Sequence, residues 1–308
     1  MTSIRDKRIR KDIRDLIKSG LIDGKNGIYV RPDEFDITKM TAMIIGPEGT
    51  PYQDGFYFFD IKFPTNYPMK NPDVKFCTLN PYVRFNPNLY TEGKVCLSLL
   101  GTWAGPGWTA CNNVGSILLS IQSMVLNEEP LKNEPGFETA SNRRLEQYRL
   151  VVEYYNYLVA VHDMMHSPPG IFGIFKDEMI VYFYNNFDKY ITKINELRDN
   201  IEKKTHLYPN YKKTGIIDAG VYQMKAKPNF DELLVKLISF KESLDGFSKS
   251  PKNMVIKSIA TELTQFSSML LVCDIASRLK IPIKKDEDKT DKTKKQLIQE
   301  IEEHLEIE

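Results

Sequence analysis

The stretch FYFFDIKFPTNYPMKNPDVKF, residues 56–76, decides the fold. In its first eight residues Tyr57, Phe59, Ile61 and Phe63 are apolar, while the other register ends in Asp60 and Lys62. A period of two with one apolar face predicts a strand lying on a core. Three prolines at fixed offsets follow, Pro64, Pro68 and Pro72, and VKFCT (74–78) then resumes as a second strand. Upstream, MTAMIIG (40–46) reads as a third strand, joined to the first through GPEGTPYQDG (46–55). Short strands joined by tight Pro/Gly/Asp turns predict an antiparallel meander, because parallel neighbours need a long crossover between them.

On either side of this sheet the period changes. Ile9, Ile13, Leu16 and Ile17 recur at helical spacing, with Arg5, Lys7, Arg8, Arg10, Lys11 and Arg14 around them and Ser19-Gly20 as the stop. Helices are predicted again from about Val114 to Met165, which makes the first part α+β. Pro168, Pro169 and Gly170 in HSPPG interrupt any helix and predict a boundary, giving domains at 1–166 and 167–308. The second reads as mostly helical: FKDEMIVYFYNNFDKYITKI (175–194), FDELLVKLISFKESL (230–244) and SSMLLVCDIASRL (267–279) carry apolar residues at helical spacing. Lys284 to Lys295 reads as a solvated linker, and QLIQEIEEHLEIE (296–308) as one more helix.

Composition narrows the function classes. A chain of 308 residues, 42% hydrophobic and 27% charged, can bury a sizeable core. A net charge of +1 argues against binding nucleic acid through overall electrostatics. Nothing resembles a signal peptide, and no apolar run approaches the ~20 residues that span a bilayer. Cys77, Cys96, Cys111 and Cys273 show no CxxC spacing. Free thiols in a reducing compartment, cytosol or nucleus, are expected.

The chemistry is predicted from VRFNPNLYTEGKVCLSLLGTW (83–103), in which Cys96 stands eight residues after Asn88 and just past a Gly-Lys turn. A thioester on such a thiol stores acyl-transfer potential and exchanges readily with another thiolate. A carrier needs that thiol accessible; the other reading of a cysteine inside VCLSLL is a small buried hydrophobe. No histidine lies near Cys96 in sequence, so the paired base of a cysteine protease is not indicated. Asn88 can donate its amide to an oxyanion at the thioester carbonyl, or brace its own loop.

The proline loop, Cys96 and Trp108 with the helix-like VGSILLSIQSMVL behind it resemble, in that order, the ubiquitin-conjugating enzymes. The resemblance covers roughly the first half and implies that family's fold: an N-terminal helix, a small antiparallel sheet and C-terminal helices, here followed by a mostly helical extension. It implies that ubiquitin or a ubiquitin-like modifier is received on Cys96 from an activating enzyme and passed to a lysine of a substrate protein, with or without a ligase. Neither metal nor organic cofactor is implied, ATP being used by the activating enzyme. Asn86-Pro87-Asn88 replaces the family's usual His-Pro-Asn, which makes Asn86, Pro87 and Trp108 loop-structuring residues near the site. Together with the extra GTWAGPG (101–107), NEPGFE (133–138) and VAVHDMM (159–165), that departure resembles the large Z-type members with a C-terminal extension. Glu134 stands where the family carries an acidic residue that gates the incoming lysine. Lys7, Arg8 and Lys11 correspond to the face that meets the activating enzyme, and Met69 to the position many members present to ligases.

Two other classes remain open in the sequence. His162 and His166, four apart, could hold zinc with Asp163 as base, as in a metalloprotease. A catalytically weak relative acting as a binding module is the other.

Overall fold

The computed structural model describes residues 3–203 and 211–247. The first helix, α1 (Ile4–Ser19), starts where the Ser3 hydroxyl accepts the Asp6 N–H at 3.0 Å and stops at Gly20, whose φ of 75° suits a residue without a side chain. Ile9 and Leu16 are buried, but Ile13 and Ile17 only partly so. A carboxylate takes the remaining buried position, because Asp12 pairs with Arg8 at 2.8 Å and accepts the Tyr67 hydroxyl. A buried charge persists only when partnered in this way.

Strands β1 (Ile28–Pro32), β2 (Lys39–Ile45), β3 (Phe56–Lys62) and β4 (Asp73–Phe76) form the antiparallel meander in sequence order. The register sets Val30, Ala42, Phe59 and Phe76 side by side on one face. On that face Tyr57 packs edge-on against Tyr52 and Phe85 and donates its hydroxyl to Asn156 Oδ1 at 2.6 Å. Asn156 follows α3 (Asn142–Tyr155), in the π-helical stretch Asn156–Asp163 that leads to α4 (Met164–His166). Helix α2 (Val114–Ser120), capped by Asn113, packs on α1 and continues as a π turn over Ile121–Val125.

The one-sided strand expected at 56–63 is corrected: Phe56 and Phe58, on the opposite face, are as fully buried as Tyr57 and Phe59. Residues from beyond the HSPPG break supply the cover. Phe172 stacks on Phe58 with centroids 4.8 Å apart, Phe175 lies 6.1 Å from it, and Tyr182 meets Phe56 edge-on. Arg31 shares this face, pairing with Glu178 and lying over the Phe175 ring at 5.7 Å. Four successive aromatics precede the first polar residue of β3, the pattern of a strand buried on both sides.

Helices α5 (Lys176–Asn185) and α6 (Phe187–Lys203) replace the single helix expected at 175–194. The break falls at Asn186, whose side chain donates to the Tyr182 carbonyl at 2.8 Å and so competes with the helical ladder. Tyr182 and Tyr190 donate, at 2.7 Å each, to the carboxylate and the carbonyl of Asp54, itself held at a φ of 63°. A short helix α7 (Tyr211–Thr214), a two-stranded ladder of β5 (Ile217–Asp218) with β6 (Lys225–Ala226), and helix α8 (Phe230–Phe247) follow. Residues 1–238 form one compact unit, so the chain from 167 to 238 shares the unit of the first 166 residues. Residues 239–308 form a second unit, of which 239–247 are described; the helices expected at 267–279 and 296–308 and the linker between them lie outside the described residues. No described helix is long and apolar enough to cross a membrane.

Candidate active site

The loop from Phe85 to Cys96 is held by its own amides. Asn88 Nδ2 donates to the Cys96 carbonyl at 2.8 Å, and the Cys96 N–H donates to the Asn88 carbonyl at 2.8 Å. This reciprocal pair fixes the cysteine opposite the asparagine. Asn88 Oδ1 is buried without a protein partner, and one hydrogen of its NH2 group remains beyond the bond to Cys96. Asn86 is fully buried: Nδ2 donates to Tyr52 Oη at 2.8 Å and to the Val125 carbonyl at 2.7 Å, while Oδ1 accepts the Asn88 N–H at 2.8 Å. Burial holds the Tyr52 hydroxyl protonated far above its ordinary pKa, so it serves as a neutral donor to the Phe85 carbonyl. Both amide hydrogens of Asn86 are thus engaged in the fold. Pro87 lends its carbonyl to the Arg84 guanidinium.

The accessible thiol expected at Cys96 is corrected, since the residue is only 2% exposed. The extra residues 101–107 are exposed, yet Thr102 ties them to the cysteine segment: its hydroxyl donates to the Val95 carbonyl at 2.7 Å and accepts the Leu97 N–H at 2.9 Å. A threonine bracing both neighbours of Cys96 had no periodic signal in the sequence. Cys111 is exposed, whereas Cys77 is half-buried and burial pushes its thiol pKa up.

Trp108 donates its indole N–H to the Pro68 carbonyl at 2.7 Å and packs on Tyr67 at 5.9 Å, joining the proline loop to the segment after Cys96. Met69 projects from the same loop, 75% exposed. On α1, Lys7 and Lys11 are exposed, but Arg8 points inward and binds Asp12 and the carbonyls of Ala110 and Asn112. Its guanidinium is therefore engaged within the fold and not presented with the two lysines. Glu134 ends a 3₁₀ turn over Pro130–Asn133 and accepts the hydroxyl of Tyr222, a residue of the extension that sequence reading did not single out.

His162 and His166 stack in parallel with centroids 5.9 Å apart, and His162 Nδ1 meets Asp163 at 2.8 Å. Among the described residues no group of three metal-ligating side chains forms. Purified protein is expected to carry well under one equivalent of zinc, as measured by elemental analysis. Stoichiometric zinc lost on His162→Ala would instead make the pair ligands.

Residues 8–156 match the sequence model of the ubiquitin-conjugating enzyme family. The human ubiquitin-conjugating enzyme E2 Z is 41% identical over 182 residues, covering 57% of this chain and 50% of its own length. The proteins of the same name from Danio rerio and Xenopus tropicalis are each 39% identical over 182 residues and 57% of this chain, covering 54% and 56% of their own lengths. The chain thus spans about half the length of the curated relatives it matches. With its meander, its proline loop and Cys96 locked to Asn88, this chain matches the ubiquitin-conjugating enzyme family over residues 8–156 and is similar to the Z-type members of that family.

Proposed function

We propose that Cys96 accepts ubiquitin or a ubiquitin-like modifier from an activating enzyme by thioester exchange and releases it to a lysine amine of a substrate protein. The observation that carries this reading is the reciprocal bonding of Asn88 and Cys96, which sets an amide donor against the cysteine. The thiolate of Cys96 displaces the activating enzyme's cysteine, and the amine later displaces Cys96. In each step a tetrahedral oxyanion forms at the modifier's carbonyl. The second hydrogen of the Asn88 amide can serve that oxyanion while the first still holds the loop. Surfaces for partners are assigned to the exposed Lys7 and Lys11 on α1 and to Met69 on the proline loop. The test is incubation of the protein with ATP and a panel of activating enzymes and modifiers. An adduct that reductant removes is expected; none with any pair would favour a binding module.

Asn88→Ala is expected to slow discharge of a preloaded chain to free lysine by on the order of 10²-fold, as for one lost oxyanion donor. Loading should change less, because the activating enzyme contributes groups of its own to that step. Asn86→Ala should behave differently, lowering the melting temperature through the loss of about 1–3 kcal/mol from orphaned buried partners. Equal losses of loading and discharge in Asn88→Ala, with a matching fall in melting temperature, would reduce Asn88 to a brace.

A further inference from the structure

The turn between β5 and β6 carries backbone strain. Tyr222 and Gln223 have φ of 53° and 55°, and the Met224 N–H donates to the Val221 carbonyl at 3.1 Å across them. Two successive positive φ values in a turn favour Asn-Gly, since a side chain in that region costs about 1–2 kcal/mol per residue. Such a conformation persists where the surroundings over-determine it, and it gathers at working sites. Here the contacts of Tyr222 do the fixing. Its hydroxyl donates to the Glu134 carboxylate, its ring lies 4.4 Å from the Arg84 guanidinium, and it meets Tyr148 edge-on at 6.2 Å. The other turn residue at this contact, Met224, accepts the Arg84 N–H on sulfur at 3.3 Å.

Both contacts lead to the cysteine loop. Arg84 lies between the rings of Tyr222 and Tyr90, the latter at 3.8 Å, and its guanidinium holds the carbonyl of Pro87, the residue before Asn88. Glu134 follows Asn133, whose amide reaches Asn86 Oδ1 at 3.5 Å, the atom that also accepts the Asn88 N–H. Burial and the Glu134 carboxylate raise the Tyr222 pKa, so the hydroxyl stays a donor. Tyr222 also borders an open groove with Tyr82, Thr91 and Lys225.

We infer that Tyr222 is a positioning residue supplied by the extension, whose hydroxyl fixes the Glu134 carboxylate beside the cysteine loop to orient the ammonium of a lysine acceptor, which then gives a proton to solvent and attacks as the neutral amine. The inference rests on the thioester reading. A fixed carboxylate favours an ammonium-bearing acceptor over a neutral nucleophile, so the informative quantity is the ratio of discharge to free lysine over discharge to hydroxylamine, which is uncharged at neutral pH. In the full chain, Tyr222→Phe should load at the wild-type rate and discharge normally to hydroxylamine. Its lysine-to-hydroxylamine ratio should fall about tenfold, as for loss of one charge-assisted hydrogen bond, with the change in half-saturating lysine. Glu134→Gln should lower the same ratio, and the double variant should go no lower, because one interaction is removed twice. An unchanged ratio in Tyr222→Phe, parallel loss with both nucleophiles, or independent effects in the double variant would overturn the inference. Failure of the wild-type chain to load removes the thioester reading itself, and the inference with it.

Discussion

Replacing Cys96 by alanine is expected to abolish the reductant-labile adduct, with no detectable charging at any enzyme concentration. The loss should be complete, because a carrier without its nucleophile retains nothing that can accept the acyl group. Cys96→Ser supplies the second arm. An oxyester does not exchange with thiols, so any adduct on serine should survive reductant that removes the wild-type one. The exposed Cys111 is the internal control, being accessible yet no part of the Asn88 pairing. Adduct persisting on Cys96→Ala and lost on Cys111→Ala would move the chemistry to the wrong thiol for everything argued about the loop. Because Cys96 is buried at rest, wild-type charging should also outpace its alkylation by a bulky maleimide, which gains nothing from partner-induced opening.

The second large effect concerns the aromatic cover on the sheet. A chain ending at Ser167 would lose Phe172, Phe175 and Tyr182 and expose Phe56 and Phe58 on the open face. Burial of each large side chain contributes about 1.5–3 kcal/mol, and each aromatic pair about 0.5–1.5 kcal/mol beyond that. The sum is of the order of a whole domain's stability, about 5–15 kcal/mol. The truncated chain is therefore expected in the insoluble fraction or as a species that binds hydrophobic dyes. Phe58→Thr should act with opposite signs in the two contexts. In the full chain it opens a cavity against Phe172 and costs about 3–5 kcal/mol, read by denaturant unfolding; in the truncated chain it should raise the soluble yield. Equal solubility of the full and truncated chains would show that the cover contributes little.

The parts legible in the sequence were those governed by short-range pattern. The meander follows from turn chemistry over 40–76, and the site loop from the spacing of Asn88, Cys96 and Trp108, because chain geometry over a few residues limits what such segments can form. The double burial of β3 was written in the unbroken FYFF run but needed a partner that lies beyond residue 170. Arg8 was expected with Lys7 and Lys11 on the face that meets the activating enzyme, because helical period cannot show that Asp12, one turn on, is buried beneath it. Tyr222 was invisible for a different reason: it sits 222 − 96 = 126 positions from Cys96, in the turn of a ladder two residues long, too short to leave a periodic trace.

The cover on the outer face also carries a timetable. Phe172 follows Phe58 by 172 − 58 = 114 residues. At a synthesis rate of about 5–20 residues per second, the ribosome exposes that aromatic row for roughly 6 to 23 s before its partners exist. Late in this interval the nascent domain has its cysteine loop complete but one flank of its sheet uncovered, a state prone to self-association. The yield of active protein should therefore depend on holdase chaperones and on elongation speed, even where the finished chain is stable.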